Sequence, residues 1–380
     1  MPVFNERIQA ALYERKIQGL TRTLHCMQPS GATDIIYNGE TYLNFSSNDY
    51  LGLATDRELT QAWQKGLDQY GNGSGASPLV TGFSSAHQKL EETLCNWLGF
   101  GRAVLFGSGF SANQALLFSL LNKHDLLLQD RLNHASLIEA GNLSPARMKR
   151  FKHNDVGHLE TLLIENALVV TEGVFSMDGD LSPLKQIKAV THNKGWLAVD
   201  DAHGIGVLGE DGKGSCAFAG IKPEMLIVTF GKAFGLSGAA ILCSESMGDY
   251  LTQFAKHHVY STALPPSQAV ALTKAAQMIQ TQHWRREHLV ELSQCYYEQL
   301  SEVDGFTKTQ TPIKPFMLAT SQRALDVSNM LRQQGFWTTA IRPPTVPQGG
   351  ARLRITLTAN HDKHNIIKLA NALKQAVKGI

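Results

Sequence analysis

What most constrains this chain is a succession of short, nearly unbroken apolar runs at residues 103–106, 125–128, 168–171, 196–199, 226–229 and 239–243. Stretches of helical length, such as 111–121 and 184–192, lie between several of them. A strand covered on both faces has no polar side and reads as a continuous apolar run, and helices between successive strands provide the cover. The pattern predicts an α/β fold, a mostly parallel sheet flanked by helices, in a large domain spanning residues 46–285. Ahead of it, Phe4, Ile8 and Leu12 recur at four-residue steps, and Asn38-Gly39 separates two apolar segments as a hairpin turn would. Residues 1–45 are read as an N-terminal arm. Beyond it, helical 267–282 and a second helix to Leu300 lead into strand-like 315–319, helical 324–333, strand-like 351–358 and a last helix, so 286–380 is read as a smaller α+β domain.

Composition narrows the function classes. The 380 residues carry a net charge of +2, which gives no electrostatic case for nucleic acid, and 43% hydrophobic residues suffice for a core. Charged residues are only 18%, against about 25% in typical chains, a shortage that points to surface covered between subunits. The basic run Arg147, Lys149, Arg150, Lys152 is read as a solvated edge. Cys26, Cys95, Cys216, Cys243 and Cys295 are scattered without C-x-x-C spacing, as in a reducing compartment and without structural zinc. Charges at Glu6, Arg7, Glu14, Arg15 and Lys16 argue against a signal peptide, and the uncharged stretch 103–122 contains Ser108, Asn113 and Gln114, which a membrane span would bury unpaired. A cytoplasmic protein is expected.

Several catalytic motifs fail. Gly231-Lys232 is followed by Ala233 and lacks the first glycine of a P-loop; H-E-x-x-H and G-x-S-x-G do not occur; Gly71, Gly73 and Gly75 do not follow an apolar strand. Ligands of parallel sheets bind beyond the carboxyl ends of the strands, and those ends hold a distinctive set. Run 196–199 leads into Asp200-Asp201-Ala202-His203-Gly204, run 226–229 into Phe230-Gly231-Lys232, run 168–171 into Glu172-Gly173 with Ser176 following, and run 103–106 into Gly107-Ser108-Gly109-Phe110; Asn133-His134 follow run 125–128. Each alone has a bland reading: a solvated lysine, an N-capping acid, a packed histidine, an ordinary helix start. Together on one sheet edge they suit one cofactor. A glycine turn at a helix start binds phosphate, a buried lysine condenses with an aldehyde, and an aspartate beside a pyridine nitrogen keeps it protonated. A pair about 4 Å apart at an effective dielectric near 20 is worth about 4 kcal/mol. The cofactor expected is pyridoxal 5′-phosphate.

These stretches, with residues 42–53, 133–136, 171–180, 199–204, 229–232 and 340–347, resemble the α-oxoamine synthase family of fold-type I pyridoxal-phosphate transferases across nearly the whole chain. The resemblance implies that Lys232 is the cofactor lysine and later the base at the substrate Cα. It places Asp200 at the pyridine nitrogen, His203 at the phenolic oxygen and His134 on the ring face. Ser108, Gly109, Phe110 and Thr229 match phosphate positions, Ser176 a ring-side contact, and Tyr260-Ser261-Thr262 a segment reaching the neighbouring subunit's phosphate, which implies a homodimer with shared sites. Arg354 matches a substrate-carboxylate clamp, Arg22 and Thr345 acyl-side positions, and Asn48 the amino-acid side, where His134 also lies. The stretch Ala340-Ile-Arg-Pro-Pro-Thr-Val-Pro347 points to the member that condenses L-alanine with a pimeloyl thioester, on coenzyme A or a carrier protein, in the biotin pathway. The rival members, glycine C-acetyltransferase, 5-aminolevulinate synthase and serine palmitoyltransferase, share the mechanism and differ in amino acid and acyl chain; alanine differs from glycine by a methyl group, worth only about 1–3 kcal/mol of discrimination. A non-catalytic regulator on the same fold would need a DNA-binding module that the sequence does not supply. Departures are Ala233 where glycine is common, Gly107 before the phosphate turn and a short segment before Val169.

Overall fold

The apolar runs become the strands of a central seven-stranded sheet. The computed structural model describes residues 2–379. A helix, Pro2–Ile17, comes first and leaves Phe4, Ile8 and Leu12 exposed. Strands β1 (Gln28–Ser30), β2 (Asp34–Tyr37) and β3 (Glu40–Asn44) pair antiparallel. The β2–β3 turn is Asn38-Gly39, both at positive φ, the combination that two-residue hairpins require.

The large sheet contains β4 (Arg102–Phe106), β5 (Leu126–Asp130), β6 (Arg147–Phe151), β7 (Ala167–Glu172), β8 (Gly195–Asp200), β9 (Met225–Thr229) and β10 (Ala239–Cys243), in the order β4-β10-β9-β8-β7-β5-β6. Strands β5 to β9 run parallel, and β10 is antiparallel to both neighbours. Two apolar cores lie on opposite faces. On β9, Leu226 and Val228 enter one while Met225 and Ile227 enter the other. Each such side chain contributes about 1.5–3 kcal/mol on full burial, so an uninterrupted run is stable only between two helix layers.

Strand β6 is not foreseen from the sequence, because its basic residues conceal it. It is the sheet's edge: Arg147, Lys149 and Arg150 are exposed, Phe151 is buried, and the charges hinder pairing with another chain. The solvated character read for this run is therefore found, on a strand. Towards the C-terminus, β11 (Ile313–Ala319), β13 (Thr339–Ile341) and β14 (Ala351–Thr356) form a three-stranded antiparallel sheet. Strand β12 (Phe336–Trp337) instead joins β3 in parallel, pairing Phe336 with Leu43 and Trp337 with Asn44. All five cysteines are free, and among the described residues no helix is long and apolar enough to cross a membrane.

Candidate active site

A cleft of about 300 Å³ opens beyond the carboxyl ends of β7, β8 and β9. It is lined by Asn48, Ser108, Gly109, Phe110, His134, Asp200, His203, Thr229 and Lys232, so the strand-end residues do converge. Asn113, Ser136 and Glu172 line it as well.

Each wall follows from local structure. After β4, Ser108 caps the helix Gly109–Leu120, its hydroxyl accepting from Ser111 N–H. The first N–H groups of a helix have no intrahelical partner, so those of Gly109 and Phe110 are presented to an anion. Position 109 must be glycine: a Cβ there would lie 2.6 Å from Thr229 Cγ2. Lys232 sits in a loop closed by Phe230 N–H to Gly238 O at 2.9 Å and Leu236 N–H to Phe230 O at 2.9 Å. Gly235 in that loop has φ +68°, and a Cβ would meet Ala54 N at 2.4 Å, so the lysine loop rests directly on the backbone after Leu53. Burial lowers the Lys232 pKa against the pull of Asp200 and Glu172.

Strand alternation separates the two aspartates after Val199. Asp200 faces the cleft, accepting from Ala202 N–H at 3.0 Å and from Asn113 Nδ2 at 2.7 Å. Asp201 turns the other way, accepts from Ser215 N–H and hydroxyl, and is pushed by burial up to about 7. Asn113 also donates to Ser136 Oγ at 2.9 Å, and Ser136 Oγ lies 2.8 Å from His134 Nδ1. One chain of polar contacts thus joins the acid to the histidine above it. Burial, then the Lys232 charge, lowers the His134 pKa, with Asp200 opposing.

His203 is buried, and burial followed by the charges of Lys232 and Arg354 holds its pKa well below the usual range. A neutral imidazole has one donor and one acceptor nitrogen. Tyr50 Oη is 2.7 Å from Nδ1, the shorter of its two donor contacts, and receives a bond from Arg354 Nη2 at 3.4 Å. Tyr50 thus occupies Nδ1, and Nε2 is the ring nitrogen left for the cleft.

Arg354, on β14, is 7% exposed and meets only neutral acceptors: Ser176 O at 2.6 Å, Asn48 Oδ1 at 3.1 Å and Tyr50 Oη. No carboxylate among the described residues pairs with it, whereas Arg352 two residues earlier is paired with Asp178. A buried guanidinium without a counter-ion is suited to a bidentate carboxylate from a ligand.

Not every expected residue joins the cleft. Neither Arg354 nor Ser176, whose carbonyl accepts from it, lines the cleft; Arg354 meets it through Asn48. Ser261 and Thr262 line a separate crevice, which shares Gly107 with it. Arg22 and Thr345 are exposed outside it; their segments approach each other through Arg342, whose guanidinium donates to Gly19 O at 3.3 Å. Conversely, Tyr50, Asn113, Ser136 and Glu172 are site residues without an assigned role in the sequence reading. The available signal for Asn113 was an amide in the helix that opens at the phosphate turn.

The cleft fits pyridoxal phosphate. Its buried Asn113 Oδ1, Thr229 Oγ1 and Glu172 Oε1 have no partner within the protein, and its donors comprise a helix start, a lysine and a neutral histidine. Residues 40–373 match the family model for aminotransferase class I and II. The 8-amino-7-oxononanoate synthase of Vibrio parahaemolyticus is 64% identical over 380 residues, covering 99% of each chain. The chain belongs to the 8-amino-7-oxononanoate synthase family. A solved structure of that family from Francisella tularensis superimposes with TM-score 0.79 at 29% identity, over 89% of this chain and 98% of that one. A serine palmitoyltransferase solved with PLP superimposes at 0.91 with 25% identity, over 98% of both. The fold-type I architecture implied by the resemblance is therefore the family's own.

Proposed function

We propose that this protein condenses L-alanine with a pimeloyl thioester, releasing carbon dioxide and free thiol and forming 8-amino-7-oxononanoate for biotin. The observation that carries the reading is Arg354, without a carboxylate partner among the described residues and bonded to Asn48 in the wall of a cleft that also holds Lys232, Asp200 and a neutral His203. When bound, pyridoxal phosphate withdraws electrons from the bonds at the amino acid's Cα.

The chain supplies the rest. Gly109 and Phe110 N–H groups, with Thr229, hold the phosphate. Asp200, held by Asn113 and Ala202, would keep a proton at the ring nitrogen, and His203 would stand at the ring oxygen. His134 covers the ring face. Arg354 and Asn48 orient the alanine carboxylate, which fixes the Cα–H bond towards Lys232. A lysine with a lowered pKa serves as the base there and returns the proton after carbon dioxide leaves. Ser176 holds Arg354 in place through its carbonyl. Arg22 and Thr345 belong to the acyl side, and Ser261 and Thr262 reach the phosphate of a second copy, in keeping with their distance from this cleft. The active form is a homodimer, as the low charge content suits. A reducing, cytoplasmic setting suits the five free cysteines. The arm 1–45, the cofactor domain 46–285 and the small domain 286–380 divide the work between acyl entry, cofactor and carboxylate binding.

Thiol release by the purified protein supplied with pyridoxal phosphate tests this. Release with L-alanine and pimeloyl-CoA, and little with glycine and acetyl-CoA, is expected; Lys232→Ala abolishes it. Preference for the glycine pair would refute the substrate assignment.

A further inference from the structure

A second cavity, of about 300 Å³, lies between the helix Trp284–Leu300, residues 306–312 and the start of β11, and shares no lining residue with the catalytic cleft. Its walls join an apolar and aromatic side, where Phe306 packs between Tyr296 and Tyr297 at centroid separations of 6.0 and 5.8 Å, to a polar one that includes Gln294, Thr309 and Gln310. Three cations line it: Arg286, Lys308 and Lys314. No carboxylate among the described residues does so.

Lys314 is the unusual member. Its side chain is buried in the wall, and its ammonium donates one bond, to Thr309 O at 3.1 Å, leaving two of its three N–H groups without a protein acceptor. The buried hydroxyl of Tyr296 has no hydrogen-bond partner at all. Buried polar groups are nearly always satisfied, and an unsatisfied one calls for an explanation. Arg286, half-buried, donates to Ile279 O and lies 2.8 Å from His283 Nδ1; Asp211 and Glu287 act on it from beyond ion-pair distance. Lys308 lies over the Tyr297 ring at 4.7 Å, at the rim. Burial with no compensating carboxylate lowers the Lys314 pKa to about 8, as for a cation lacking its counter-ion.

We infer that this cavity is a second ligand site, for a small organic acid with an apolar body and one carboxylate, the carboxylate bound by Lys314 and the Tyr296 hydroxyl. The volume, at the lower end of the roughly 300–1,000 Å³ of ligand pockets, limits the body to a short chain or single ring. The surplus of positive charge selects the anion over the corresponding alcohol.

The test is calorimetric titration of the pyridoxal-phosphate-loaded protein with heptanoate, and with 1-heptanol as the neutral control. Heptanoate is expected to bind, with affinity reduced about tenfold or more in Lys314→Met and several-fold in Tyr296→Phe, given the usual strength of hydrogen bonds to charged groups. Turnover and heptanol binding stay unchanged in both variants. Heat that persists in Lys314→Met with wild-type affinity, or no heptanoate binding in the wild type up to about 10 mM (a Kd of 1 mM being only about 4 kcal/mol), overturns the inference. Tyr296→Phe removes only the hydroxyl and decides the matter if Lys314→Met does not fold.

Discussion

Replacing Asn113 by alanine tests the site at its least visible support. The amide donates to Asp200 Oδ2 at 2.7 Å and to Ser136 Oγ at 2.9 Å. Without it, the buried Asp200 keeps one bond, from Ala202 N–H, and can rotate away from the ring nitrogen it must face. A hydrogen bond to a charged group is worth about 1.5–3 kcal/mol, which at about 1.4 kcal/mol per decade is roughly 10–150-fold. Asn113→Ala should therefore lower kcat/KM for thiol release by that factor and weaken pyridoxal phosphate binding, followed by the cofactor's own absorbance on titration. Ser136→Ala removes the amide's other partner and leaves the Asp200 bond intact, so its effect should stay within about threefold, as for one neutral hydrogen bond or less. If Asn113→Ala keeps both turnover and cofactor affinity within about twofold of wild type while Ser136→Ala does the same, the amide does not position the acid and the reasoning fails.

The two neighbouring arginines on β14 should behave differently. Arg354→Met raises KM for L-alanine by about 10–100-fold, whereas Arg352→Met, whose charge is already answered by Asp178, leaves it within about threefold; equal effects would contradict the carboxylate assignment. Burial, then the nearby Asp200, raises the Glu172 pKa well above the carboxylate range, which favours its neutral form. Glu172→Gln, neutral and nearly isosteric, should keep kcat within about threefold, and a far larger loss means that the charge is used. His153 bridges Asp130 at 3.0 Å and Asp180 at 2.8 Å; burial alone would lower its pKa, but these two bonds outweigh it and raise it to about 10. A raised folded-state pKa stabilises fully below the unfolded value near 6.5 and less as pH climbs towards 10. The Tm difference between wild type and His153→Ala should accordingly be largest near pH 6 and shrink towards pH 10, and a pH-independent gap is the refuting result.

The apolar strands were legible because burial on both faces leaves no room for polar residues, which is why runs such as 226–229 and 239–243 mark β9 and β10 almost to the residue. Strand β6 was hidden by the opposite circumstance, an edge that needs charge. The two-residue β12 was hidden because its pairing is set by β3, almost the whole chain away. The cofactor-side residues share this division. Lys232, Asp200, His203 and His134 follow strand ends or lie a few residues beyond them, where topology alone gathers ligands. Tyr50 and Asn113 matter through partners 153 and 87 residues distant, and no local pattern records such a contact.

The bond between Arg354 and Asn48 spans 306 residues. On a ribosome adding about 5–20 residues per second, the asparagine waits roughly 15–60 s for its partner. The central sheet has all its strands once β10 is made, long before Arg354, the arginine proposed to bind the carboxylate, has been translated. A nascent chain can thus acquire the cofactor half of its site first, and the contact between Arg354 and Asn48 forms only with the last strand.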